Sequence, residues 1–180
     1  MRADAARNIE AVLQTGARLL AEDPGVSVAA IATAAGVDRR TVYRRFPTRD
    51  ALLCGIFQAK LDASDAIIAG SRLEEAPVGV ALHRFVEGAV AVARRYPVGH
   101  EQISCSSTAA GRHVEQREKV ETFLRRAADE GLIRADLPDG MAWALLHDLV
   151  DLVAHRYPGL ECGRAADLAV DVLLGGIGRA

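Results

Sequence analysis

Residues 28–46, VAAIATAAGVDRRTVYRRF, constrain this chain more than any other stretch. They read as a short helix with an apolar face, a glycine turn, and a second short helix crowded with arginine. Ser27 precedes the first helix and Asp38 the second, and both residue types cap helix N-termini through a side-chain oxygen. Pro47 ends the second helix, because the residue before proline is pushed out of the α region. Two short helices joined by a tight turn containing Gly form a helix-turn-helix, whose second helix is shaped for the DNA major groove.

The rest of the chain reads as helix as well. Ile9, Val12, Leu13, Gly16 and Leu20 fall on one stripe of a helix predicted over 7–21, which Asp23-Pro24-Gly25 ends. Gly16 lies on that stripe, where the missing side chain lets a second helix approach. Val28, Ile31, Ala35, Val42 and Phe46 are expected to pack against Leu13 and Leu20, with Gly36 making the turn, a position suited to positive φ. Thr48 caps a longer helix carrying Leu52, Leu53, Ile56, Phe57 and Leu61 at helical spacing. Further helices are predicted over 78–96, 113–130, 141–157 and 163–174. A looser, small-residue stretch is expected at 104–111, and Gly131 is expected at a helix C-terminus. Aromatic residues make up only 4% of the 180 residues, a composition that favours closely packed helices over a sheet sandwich. The fold class is therefore all-α. The predicted domains are a helix-turn-helix domain over 1–47 and a helical effector-binding and dimerisation domain over 48–180.

The net charge of −2 announces no polyanion partner by itself, but its distribution does. Residues 1–60 carry nine Lys and Arg against six Asp and Glu, and residues 61–180 carry thirteen against eighteen. A basic N-terminal third on an acidic body is the asymmetry expected where one end meets phosphates. On the second helix, Arg39, Arg40, Thr41 and Arg44 are candidates to reach base edges, since arginine can bond guanine bidentately. Tyr43, Arg45 and Arg49 are candidates for phosphate contacts, which position the protein without reading sequence. A solvated arginine face is the plain alternative for such a run, and the Gly turn and capped helices favour DNA.

These residues resemble the TetR family of bacterial transcriptional regulators. The resemblance runs from about Ile9 to Phe57 through Val28-Ala29-Ala30-Ile31-Ala32, Ala35-Gly36-Val37, Thr41-Val42-Tyr43, Phe46-Pro47 and Arg49-Asp50-Ala51-Leu52-Leu53. In the family, the position of Tyr43 commonly contacts phosphate, and the position of Arg49 usually carries Lys. Asp38 stands where Ser is common and Arg40 where a small residue is common, so relatives do not give the operator sequence. Further on, the likeness is loose, through Gly131-Leu132-Ile133-Arg134-Ala135-Asp136-Leu137-Pro138 and a final pair of apolar helices. It implies a repressor that a small-molecule effector releases from a palindromic operator, dimerised through its last two helices. The sequence agrees: Trp143, Leu146, Leu149, Val150 and Val153 surround much of one predicted helix, and LAVDVLL is apolar on more than one side.

Other chemistry is less well supported. Cys54, Cys105 and Cys162 lack metal-like spacing and suit a reducing cytoplasm. The N-terminus lacks a signal-type apolar core, and no run of 18 apolar residues suggests a membrane span. His147, Asp151 and His155 share one helix face, but a polar strip is favoured over a metal site there, and neither metal nor cofactor is expected. His83, His100, His113 and Cys105 are candidates to line an effector pocket. No GxSxG, P-loop or dinucleotide fingerprint is present, so an enzyme is not expected. The alternatives left open are a helix-turn-helix module controlled by a protein partner and a small helical metalloenzyme.

Overall fold

The computed structural model describes residues 2–99 and 107–178, which form eight helices. In chain order these are α1 (Arg2–Glu22), α2 (Val28–Ala34), α3 (Arg39–Arg45), α4 (Arg49–Ser71), α5 (Val78–Arg95), α6 (Ser107–Asp129), α7 (Met141–His155) and α8 (Cys162–Ile177). An isolated antiparallel bridge joins Ile133 to Gly178. Most helix bounds lie close to those expected from sequence. The main difference is at 107–111, expected as loose chain but helical, with Ala109 fully buried on the inner side.

The chain forms two compact units. The first contains residues up to Leu61 together with 95–110, and the second contains 62–94 and residues from Gly111 onward. The helices α4, α5 and α6 therefore each contribute residues to both. In the first unit, Val12, Leu13, Ala17 and Leu20 of α1 are buried with Val28, Ile31 and Ala32 of α2. Val42, Phe46, Leu52, Ile56 and Leu61 belong to the same buried set. Ala35, expected inside, is only half-buried, and Ala32 is the fully buried alanine of α2. Each fully buried aliphatic side chain contributes about 1.5–3 kcal/mol.

Short helices need end chemistry because few of their backbone groups bond internally. Ser27 accepts from the Ala30 amide at 3.1 Å. Asp38 accepts from the amides of Arg40 and Thr41 at 2.9 and 3.3 Å, and Thr48 accepts from Ala51 at 3.1 Å. Gly36 lies at φ +67°, where L side chains are strained. Two other glycines are needed for approach rather than conformation. A Cβ on Gly16 would stand 2.9 Å from Ile56 Cδ1, and one on Gly55 would stand 2.6 Å from Phe46 Cε1.

In the first unit a single carboxylate oxygen gathers three donors. Glu10 Oε1 accepts from Tyr96 Oη at 2.6 Å, Arg95 Nη2 at 2.6 Å and Gln14 Nε2 at 2.7 Å. Burial opposes the charge on Glu10, but the Tyr96 and Gln14 hydrogen bonds and the Arg95 guanidinium outweigh it, so its pKa is lowered. Burial and the same carboxylate push the Tyr96 phenol up to about 12. Lys60 Nζ donates to the Val98 carbonyl at 2.6 Å just beyond.

In the second unit, Leu82, Phe85, Val86 and Val90 of α5 share a core with Val120, Phe123 and Leu124 of α6, and with Leu146, Val150 and Leu173 of α7 and α8. Two buried or half-buried arginines satisfy helix ends. Arg126 donates to the carbonyls of Leu73 and Ala76 at 2.8 and 3.0 Å. Arg94 donates to the carbonyls of Leu160, Tyr157 and Val153 at 2.7, 3.2 and 3.3 Å. Cations are favoured where helix carbonyls are left over.

Two measurements check this packing. Gly55→Ala is expected to destabilise the chain by about 1–3 kcal/mol, because a rigid buried ring must move. Gly111→Ala, on an exposed part of α6 with no atom within 4 Å of the added methyl, is expected to stabilise it by about 0.5–1 kcal/mol. Denaturant midpoints that move in the same direction for both would contradict the seat of Phe46 on Gly55. The Glu10 group predicts a pH signature as well. Its lowered pKa adds stability above the ordinary value of 4.5, lost as pH falls through the folded value. The raised Tyr96 pKa adds stability present below the ordinary 10 and lost as pH rises through about 12. Glu10→Gln should lower the thermal midpoint at pH 7, and its gap from the parent should close in acid.

Candidate nucleic-acid interface

The second helix of the motif, α3, has one buried side and one open side. Val42 is fully buried and Phe46 nearly so. Arg40 and Arg44, four residues apart, lie on the opposite side, and both are exposed. Arg39 is exposed at the start of the helix and Thr41 is half-buried beside it. Among the described residues, the side chains of Arg39, Arg40 and Arg44 enter no ion pair or hydrogen bond within the chain. By contrast, Arg94 and Arg126 are occupied by carbonyls and Arg95 and Arg112 by carboxylates.

The flanking candidates differ in their surroundings. Tyr43 is 45% exposed, so its hydroxyl is available to an external partner. The guanidinium carbon of Arg45 lies 5.4 Å from the centre of the Phe46 ring, a cation–π arrangement that fixes its direction. Arg49 also has partners within the chain. Its guanidinium donates to the carbonyls of Pro24 and Val26. It thereby ties the turn between α1 and α2 to the start of α4, using two of five donors. Sequence reading missed this tie because its partners lie 23 and 25 residues away and are backbone atoms. The two acidic groups nearest the motif have separate tasks: Asp38 caps α3, and Asp50 lies exposed in the first turn of α4.

The other expected groupings are not brought together. His155 Nδ1 lies 3.0 Å from Asp151, whereas His147 Nδ1 lies 3.6 Å from Asp148 and its ring packs near Trp143 with centroids 5.7 Å apart. Among the described residues, no group of three or more His, Cys, Asp or Glu side chains could hold a metal ion. His83 Nε2 meets Asp167 at 2.8 Å on the surface between α5 and α8. His100 and Cys105 lie outside the described residues.

A groove of about 1070 Å³ runs along the second unit between the C-terminal half of α4 and α6. Its walls include Asp65, Arg72, Arg112, Lys119 and Phe123. Arg112 Nη2 lies 2.8 Å from Asp62 and 2.6 Å from Asp65, and Gln116 donates to Asp65 at 2.7 Å. Burial raises the Asp65 pKa, but these bonds outweigh it, so it is lowered overall. Neither His83 nor His113 lines this groove. Among the described residues, no helix is long and apolar enough to cross a membrane.

With this geometry in place, comparison with known proteins identifies the motif. Residues 12–54 match the model of the bacterial regulatory proteins, tetR family. Over those residues the chain is similar to the tetR family. It is 38% identical over 81 residues to the HTH-type transcriptional repressor LfrR of Mycolicibacterium smegmatis, a match covering 45% of this chain and 43% of that repressor. The match therefore spans less than half of that relative's length. The crystal structure of LfrR from Mycobacterium smegmatis in complex with proflavine superposes with a TM-score of 0.73 at 26% identity, covering 97% of this chain and 99% of that one. The ketosteroid transcriptional regulator KstR2 of Mycobacterium tuberculosis superposes with a TM-score of 0.72 at 19% identity, covering 94% of each chain, which shows the shared fold alone.

The open arginine face of α3 makes a direct prediction. Arg44→Ala should weaken binding to a duplex selected by the parent chain by about 1–3 kcal/mol, the range for one bidentate base contact, while leaving the thermal midpoint almost unchanged. Anisotropy titrations across salt would read it. An affinity and salt slope equal to the parent's would remove α3 from the interface.

Proposed function

We propose that this chain is a DNA-binding transcriptional repressor that acts as a cytoplasmic homodimer on a palindromic operator and leaves it on binding a small-molecule effector. The observation that carries the reading is the unoccupied arginine face of α3, seated by Val42 and Phe46 and capped by Asp38. In this reading Arg39, Arg40, Thr41 and Arg44 meet base edges. Tyr43 and Arg45 meet phosphates, and Arg49 meets one through donors not used on Pro24 and Val26. The repressor relative supports the sign of regulation.

An N-terminal helix-turn-helix domain over 1–47 does the reading, and the remainder, 48–180, holds the effector and the dimer contact. The two-fold contact is assigned to α7 and α8. Met141, Leu145 and Leu152 of α7 and Val172 of α8 are exposed apolar side chains, which a second copy would cover. Two copies then present two α3 helices to half-sites related by the same two-fold axis. Proflavine is bound by the LfrR relative. For this chain a small organic effector is proposed, with the groove between α4 and α6 as a site of suitable size. An effector lowers operator affinity only by its preference for the dimer whose reading helices are wrongly spaced.

Two experiments test the reading. Duplexes enriched from a random pool by the full chain should converge on an inverted repeat, and enrichment without a sequence pattern would overturn it. The double variant Leu152→Glu, Val172→Glu should sediment at half the parent's mass. It should also bind the enriched duplex weaker by on the order of 10²-fold or more, because the second half-site no longer binds intramolecularly. A variant that keeps the parent's mass would move the two-fold contact elsewhere.

A further inference from the structure

The side chains of α3 sort by angle around the helix. At 3.6 residues per turn, Val42 and Phe46 mark one line along it, and both are buried. Arg40 and Arg44 fall within about 40° of the line directly opposite, and both are exposed. Thr41 stands to one side of this pair and Arg39 to the other, nearer the buried line. The Arg45 guanidinium is turned to the Phe46 ring, 5.4 Å from its centre. Asp38, the carboxylate next in sequence to this face, is spent on the amides of Arg40 and Thr41 as the cap of α3. Two like charges four residues apart on a helix repel one another, so the bare chain gains nothing from holding Arg40 and Arg44 together.

We propose that each operator half-site presents two guanines to α3, one bonded by Arg40 and the other by Arg44, about two base steps apart. The inference rests on the reading of α3 as the helix that meets the operator, and it names the bases that helix selects. A guanidinium carries five donors and no acceptor. In the major groove guanine alone offers two acceptors side by side, N7 and O6. Adenine sets a donor beside its N7, thymine a methyl beside its O4, and cytosine offers a donor. A face of two guanidinium groups, with the neighbouring carboxylate engaged at the cap, therefore matches guanine and leaves the donors of adenine and cytosine unmatched. The spacing follows from two rises. Four residues advance α3 by about 6 Å, and successive base pairs lie about 3.4 Å apart. Side chains one turn apart then meet bases two steps apart when the helix lies along the groove. Phosphates are the other acceptors for arginine, and contacts to them carry no sequence information. They line the groove walls, where the residues beside the pair point, whereas residues opposite the buried line face the groove floor.

Selection and base substitution with the full chain test the assignment. Duplexes enriched from a random pool should carry two G·C pairs per half-site at that spacing. Replacing one of these guanines by 7-deazaguanine, which lacks the N7 acceptor, should weaken binding by the parent about 5-fold or more, the low end for a bidentate pair. Arg40→Ala should abolish the penalty at one guanine and keep it at the other, and Arg44→Ala should do the reverse, as paired partners require. Both residues are exposed, so both variants should keep the parent's thermal midpoint. An inverted repeat without G·C pairs at that spacing would overturn the guanine assignment and leave the repressor reading intact. So would 7-deazaguanine penalties that are equal in the parent and both variants. Enrichment with no sequence pattern would overturn both.

Discussion

The phenyl ring of Phe46 rests on the backbone at Gly55, and the direction of α3 depends on that seat. A seven-residue helix has too few internal hydrogen bonds to persist on its own, so α3 takes its stability and its direction from contacts beyond itself. Val42 and Phe46 bury one side, Asp38 holds the start and Pro47 fixes the end. Any side chain at position 55 would push the ring outward, since an added Cβ would lie 2.6 Å from it. The arginines opposite would then point elsewhere. Arg49 strengthens the same seat from the other side, by tying the start of α4 to the turn that precedes α2.

Arginine has three distinct uses in this chain, and environment sorts them. Arg94 and Arg126 lie among helix ends and donate to carbonyls. Arg112 and Arg95 bridge helices through carboxylates. Those of α3 stand in water with no internal acceptor, so their donors are spent only when a partner arrives. A net charge of −2 conceals this, because it averages a basic reading face over an acidic body.

How far each feature was legible follows from the range of the interaction that makes it. The capping by Ser27, Asp38 and Thr48 and the positive φ of Gly36 were readable, since each involves partners at most three positions apart in sequence. The role of Gly16 was readable in kind, as a gap in an apolar stripe, though not its partner Ile56. The helical start of α6 was obscured by serine, threonine and glycine, which read as loop until Ala109 is seen to be buried. The tie from Arg49 to Pro24 and Val26 was not legible, because its carbonyl partners carry no sequence signal. The group around Glu10 was invisible for a related reason: Tyr96 is 86 residues away, and Glu10 with Gln14 reads as an ordinary surface pair four apart. The histidines of α7 share a helix face as expected, yet each finds its own carboxylate, because spacing alone does not make side chains converge.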